Sequence, residues 1–327
     1  MFNSWLTETF SIKYPIILAP MFLISNEKML IEAAKSGFMG CIPSLNYKTP
    51  EELRAGMKRL KENCPGPYGI NLIANKSNIH LDKHLSILEE FPPAFVITSL
   101  GSPEEIIKRL KPKNVKVFCD VVDIDYAKKV EKLGADALIA VNSGAGGHAG
   151  NIPASILVPM LLENSSLPVI SAGGIGTGRG LLSMLALGAC GVSMGSIFIA
   201  ADESPASNDY KKGIVEYGAK DIVMSDKISG TPCSVIQTPY VKKIGTKQNA
   251  LESFLNKNKQ FKKYAKMLTY YKGMKAVENA AFAATYKTVW IAGPSIEFCK
   301  KNESINQTIQ RIAAEFETAV KELKEKC

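Results

Sequence analysis

His148 is the residue best suited to proton chemistry in this chain of 327 residues. It stands in the glycine-rich stretch NSGAGGHAG (142–150). An imidazole titrates near 6.5, so it can take or give a proton close to neutrality. The bland alternative is a histidine fixed by loop hydrogen bonds. Two more glycine-rich stretches follow, AGGIGTGRG (172–180) and MGS (194–196), the latter entering a helix. Glycine lets the backbone approach a ligand closely and turn its N–H groups toward it. A helix N-terminus adds partial positive charge. Adjacent loops of this kind could bind a phosphomonoester without lysine or arginine. Each glycine could instead serve a tight turn; three such loops in succession favour the phosphate.

The elements around these loops read as repeating β-α units. Apolar runs at 15–20, 38–44, 68–73, 94–99, 115–121, 135–141, 167–173 and 190–195 read as strands. Helical patterns lie between them, one with Thr49 as N-cap and Pro50 in its first turn, another capped by Ser102. The strands are continuous apolar runs, as a parallel sheet covered by helices requires. Eight successive units argue for a closed (β/α)8 TIM barrel, with an open doubly wound sheet as the competing topology. The glycine stretches then fall at the C-terminal ends of strands six, seven and eight, where barrel active sites lie. Beyond Phe198 the pattern turns helical and lysine-rich. The expected division is a barrel core over 1–200 and a mainly helical cap over 201–327, with a helix over about 305–324.

Composition narrows the classes. Hydrophobic residues are 46% and charged residues 22%, an ordinary globular balance. No apolar stretch reaches the ~20 residues that cross a bilayer. The start has no secretory signal, so the expected location is the cytoplasm. None of the seven cysteines forms a C-x-x-C pair, so neither a disulfide framework nor structural zinc is expected. His80 and His84 are four apart and read as surface residues without a third metal ligand. The net charge of +9 concentrates late: 241–275 holds ten lysines and one glutamate. That stretch reads as a solvated helix face, and no motif supports nucleic-acid binding. Gly144-x-Gly146-x-x-Ala149 fits a loose dinucleotide fingerprint but follows the sixth strand and lacks the acidic partner, so it reads as chance.

The motifs APM (19–21), GINL (69–72), AGGHAG (145–150), SAGGI (171–175) and MGS (194–196), in this order, resemble the nitronate monooxygenase family, formerly 2-nitropropane dioxygenases. The same superfamily includes flavin-type enoyl-acyl-carrier-protein reductases and an NADH:quinone reductase. The resemblance covers roughly residues 10–200 and implies an FMN-containing barrel. It implies that Ala19, Pro20 and Met21 line the flavin ring through their backbone, that Asn71 hydrogen-bonds the ring or ribityl chain, and that Gly146, beside Gly147, touches the isoalloxazine. Ala172, Gly173, Gly174, Gly195 and Ser196 would bind the phosphate. His148 falls on the catalytic histidine, which removes the α-proton of a neutral nitroalkane. The sequence departs from the family at Gly144, where glutamate is common, and at Asp120, a flavin-side position where some members have lysine.

The implied reaction is oxidation of alkyl nitronates by O2 to a carbonyl compound and nitrite. The alternative is an FMN- and NAD(P)H-dependent reductase of an enoyl thioester or a quinone, with an acidic carrier protein as partner for the lysine-rich stretch. A non-catalytic flavin-binding scaffold is a third reading, opposed by the intact His148 and glycine loops. The expected partners are small molecules and O2, without nucleic acid or membrane; a homodimer is compatible with the sequence.

Overall fold

The computed structural model of the chain describes residues 2–75, 78–226, 232–247 and 289–326. Eight parallel strands close into a barrel in sequence order. They are β1 (Ile16–Leu18), β2 (Met39–Pro43), β3 (Tyr68–Ile73), β4 (Phe95–Ser99), β5 (Lys116–Val121), β6 (Ala137–Val141), β7 (Val169–Ala172) and β8 (Gly191–Met194). Closure comes from β1 pairing with β8, Ile17 opposite Ser193. The sequence expectation of a closed barrel therefore holds, and the open sheet is excluded.

Alternate residues of each strand point to opposite faces, and both faces are apolar. Met39, Cys41, Phe95, Ile97, Phe118, Ile139 and Ile170 fill the interior. Phe95 and Phe118 stack at the centre with ring centroids 5.0 Å apart. Gly69 on β3 makes room for them, since a Cβ there would sit 2.4 Å from the Phe95 ring. A short helix, α1 (Trp5–Phe10), stoppers the N-terminal end: Trp5 and Phe10 each lie 5.9 Å from the Phe118 ring. Only the C-terminal end is left for a ligand.

The outward residues pack under α2 (Glu27–Lys35), α3 (Pro50–Asn63), α4 (Leu81–Glu90), α5 (Glu104–Leu110), α6 (Ile124–Lys132), α7 (Ala154–Asn164) and α8 (Gly178–Ala186). Thr49 caps α3, accepting from the Glu52 N–H, with Pro50 in the first turn. At α5 the expected Ser102 cap is displaced by one residue. Pro103 is the N-cap, and the Ser102 hydroxyl only accepts a 3.4 Å bond from the Glu104 N–H. His84 also differs from expectation. It sits on the inner face of α4 and is 1% exposed, stacked on His80 at 5.8 Å.

Beyond β8 the chain forms a cap with α9 (Asn208–Glu216), an antiparallel hairpin of β9 (Ile222–Ser225) and β10 (Cys233–Ile236), and α10 (Pro239–Ile244). The hairpin adds strands to a region read as helical. The C-terminal helix, Ile305–Lys326, packs against α8 and α2, in the place of the barrel's eighth helix. Of the lysine-rich stretch 241–275, residues from 248 onward lie outside the described residues. No described helix is long and apolar enough to cross a membrane.

Candidate active site

The strand ends set the floor of the site. In β3, β4 and β5 the inward positions advance from Gly69, Ile97 and Phe118 to Asn71, Ser99 and Asp120, one layer nearer the mouth. These three polar side chains sit side by side. Asn71 Nδ2 donates to Ser99 Oγ at 2.8 Å and to the Ile97 carbonyl at 3.1 Å. Ser99 Oγ donates to Asp120 Oδ2 at 2.5 Å. Burial pushes the Asp120 carboxyl up to about 6, with the Ser99 hydrogen bond opposing the rise.

The turn after β1 is fixed by its own hydrogen bonds. The Ala19 N–H donates to the Met194 carbonyl at 2.8 Å. Ser25 Oγ donates to the Ala19 carbonyl and accepts from the Met21 N–H, both at 2.9 Å. Asn46 accepts from the Leu23 N–H and donates to the Ser25 carbonyl, each at 2.8 Å. Much of the polar backbone of Ala19–Met21 is thus engaged internally. What this turn offers a flat ring is largely the methyl of Ala19, the Pro20 ring and the Met21 thioether.

The glycine loops after β6 and β7 lie against each other. Asn142 ties them: its Oδ1 accepts from the Gly144 N–H at 2.8 Å and its Nδ2 donates to the Gly173 carbonyl at 3.0 Å. A Cβ on Gly144 would come within 2.9 Å of the Gly174 backbone, and one on Gly173 within 2.4 Å of the Ala145 nitrogen. Gly144 therefore has no room for a glutamate side chain. Gly146 abuts Gly293 of the cap in the same way, and Ser196 Oγ accepts from the Gly293 N–H at 2.8 Å. Part of the glycine content is packing. Gly174 is different: its φ is +78°, and a Cβ would meet nothing closer than 3.7 Å.

Contrary to expectation, helix N-termini are not available to an anion here. The N-terminus of α8 is already occupied, since Thr177 accepts from the Gly180 N–H and Glu315 Oε2 accepts from the Gly178 N–H at 2.8 Å. After β8 the chain enters only a three-residue 3-10 turn, Ser196–Phe198. What remains is the loops themselves. Among the described residues, no hydrogen bond engages the amides of Gly173, Gly174, Gly195 or Ser196.

His148 lies on the loop after β6, which is stitched to the cap by a two-way bridge. The Ser234 N–H donates to the Gly147 carbonyl at 2.7 Å, and the Gly147 N–H to the Ser234 carbonyl at 3.3 Å. The surrounding protein pulls the imidazole below its ordinary range. His148 is exposed at the cavity wall, so water weakens that effect.

Ala19, Pro20, Met21, Asn71, Asp120, Gly146, Gly147, His148, Ala172, Gly173, Gly174, Gly195 and Ser196 all line one cavity of about 930 Å³ at the barrel mouth. Its size is at the upper end for small-molecule sites. Sequence reasoning missed Ser99, which inward alternation from Ile97 would have found. It also missed Tyr210 and Cys233, which the cap adds to the wall. Nothing local in the sequence marks those two.

The signature of nitronate monooxygenases matches residues 3–85 and 79–315. A 5-hydroxy-7a-methyl-1-oxo-octahydro-1H-indene-4-carboxyl-CoA dehydrogenase of Rhodococcus jostii is 32% identical over 72% of this chain and 66% of its own length. A probable nitronate monooxygenase of Staphylococcus saprophyticus is 28% identical over 73% of this chain and 79% of its own. Among solved structures, FabK from Thermotoga maritima superposes over the whole of both chains with a TM-score of 0.87 at 26% identity. A nitroalkane oxidase from Streptomyces ansochromogenes, at 22% identity and a TM-score of 0.79, shares the fold.

Proposed function

The chain belongs to the nitronate monooxygenase family and is an oxidoreductase; from that premise we propose that it uses FMN to oxidise alkyl nitronates with O2, giving a carbonyl compound and nitrite. The observation that carries this reading is the meeting, on one cavity, of His148 and two pairs of loop amides that no hydrogen bond engages among the described residues.

These residues fit the cofactor. The amides of Gly173, Gly174, Gly195 and Ser196 would hold a phosphate, and the open side of Gly174 leaves space for it. The Ala19–Met21 turn would pack on the ring, and Asn71 would offer it a hydrogen bond. Bound FMN would supply the electron transfer and the reaction with O2. The chain supplies orientation and proton transfer. A neutral His148 imidazole accepts the α-proton of a neutral nitroalkane, forming the nitronate in place; an already ionised nitronate does not need this step.

Anaerobic mixing of the purified protein with propionate 3-nitronate, NADH and NADPH, followed by flavin absorbance, tests the proposal. Bleaching by the nitronate alone is expected. Rapid bleaching by a pyridine nucleotide, with none from the nitronate, would overturn it in favour of a reductase. A colourless protein that cannot be reconstituted with FMN would remove the cofactor itself.

A second reading has its own support. The relative at 32% identity is named for a carboxyl-CoA substrate, and the FabK likeness spans the whole chain. An FMN- and NAD(P)H-dependent reductase of an enoyl thioester or a quinone would use the same cavity, with an acidic carrier protein as a partner. The mixing experiment separates the two.

A further inference from the structure

The cavity holds an acid and no described cation. Neither lysine nor arginine is among its lining residues, whereas Asp120 and Asp123 are. Asp123 is committed as the N-cap of α6, accepting from the Tyr126 N–H at 2.8 Å. Tyr126 donates to the Gly101 carbonyl and Tyr210 to the Ile291 carbonyl. Asp120 is less committed. One oxygen accepts from Ser99, and among the described residues the other has no protein partner.

The titratable groups around Asp120 give it no counter-charge. Cys41 on β2, Cys119 on its own strand and Tyr126 on α6 feel its field, and burial holds all three protonated: Cys119 and Tyr126 rise to about 12 and Cys41 goes well above its usual value. His148, which lines the same cavity, is shifted toward its neutral form by the surrounding protein. An anion brought into this space meets the Asp120 carboxylate as an unscreened like charge.

We propose that Asp120 determines which charge state of a ligand the cavity accepts: an anion enters together with a proton on the Asp120 carboxyl, whereas a neutral ligand leaves the carboxylate ionised. This rests on reading the cavity as the substrate site. The relay fits the role. Ser99 can turn its hydroxyl from donor to acceptor as the carboxyl gains its proton, and Asn71 holds Ser99 in place in either state. Asp120 thus acts as a specificity-determining residue, favouring nitronate anions at acidic pH and neutral nitroalkanes at alkaline pH.

Two measurements decide the matter. The first is a carbon-13 titration of the Asp120 carboxyl in the wild-type protein, assigned with Asp120→Asn. The second is anaerobic calorimetry with ethylnitronate at several pH values on wild type, Asp120→Asn and His148→Gln. In the wild type, affinity is expected to fall about tenfold per pH unit above the Asp120 midpoint near 6. The fall should vanish in Asp120→Asn and persist in His148→Gln. An equal fall in Asp120→Asn, or its loss in His148→Gln, overturns the proposal. If ethylnitronate binds none of the three, the nitronate reading fails and the carboxyl titration alone decides Asp120. A midpoint in the ordinary carboxylate range rejects the role; one near 6 that rises further when acetate is added as a small anion upholds it, and one that acetate leaves unmoved rejects it.

Discussion

His148 is held below the ordinary imidazole range, so at neutral pH it is already in the form that accepts a proton. Turnover of neutral nitroalkanes should therefore fall as the pH is lowered and the imidazole becomes charged. His148→Gln should lower that turnover about 100- to 10,000-fold while sparing preformed nitronates. Steady-state rates with both substrate forms across pH would check this, and an equal loss for both would remove the base assignment. Gly174 carries the complementary prediction. Its φ of +78° and its open side mean that valine there would strain the backbone by about 1–2 kcal/mol and fill space toward the cavity. Gly174→Val should fold but purify with little flavin; normal flavin content, read from the absorbance ratio, would contradict the assigned phosphate loop.

Among elements, α8 shows why glycine-rich sequence is hard to interpret. Gly178 looks like part of a phosphate loop, yet a Cβ there would lie 2.1 Å from the Phe316 nitrogen on the C-terminal helix. Gly178→Ala should cost about 1–3 kcal/mol by forcing those helices apart, measured by urea unfolding. The partner is more than a hundred positions away, so local spacing cannot reveal it. The same holds for Glu315, which takes the helix end that seemed free for phosphate. Strands and barrel helices, by contrast, were legible because their apolar periods are local and strong. The hairpin of Ile222–Ser225 and Cys233–Ile236 was not: its strands are four residues each, beside a lysine-rich run with helical spacing. His84 departs from a surface position because one face of α4 is buried deeply enough to take an imidazole. Burial holds that imidazole at about 4. Its contribution to stability is present above about 6.5 and is lost as pH falls through about 4, up to about 3 kcal/mol. His84→Leu should flatten that acid limb in unfolding curves taken between pH 7 and 4; an unchanged slope would place the loss elsewhere.

For the molecule as a whole, the barrel is complete only when its last segment is in place. The C-terminal helix buries Ile305, Ile309 and Ile312 against its neighbours. At about 1.5–3 kcal/mol per side chain, they contribute about 4.5–9 kcal/mol, comparable to the lower half of a typical domain's entire stability of about 5–15 kcal/mol. A chain ending at residue 304 should lose its cooperative thermal transition; an intact calorimetric peak would contradict this.

This arrangement constrains how the protein is made. The eight strands leave the ribosome well before the helix that seals them, with the whole segment between Met194 and Ile305 still to be translated. At about 5–20 residues per second, the apolar flanks of α2 and α8 stay uncovered for on the order of ten seconds. Over that interval a nascent barrel presents a sticky seam, and a chaperone that shields it would raise the yield of active enzyme.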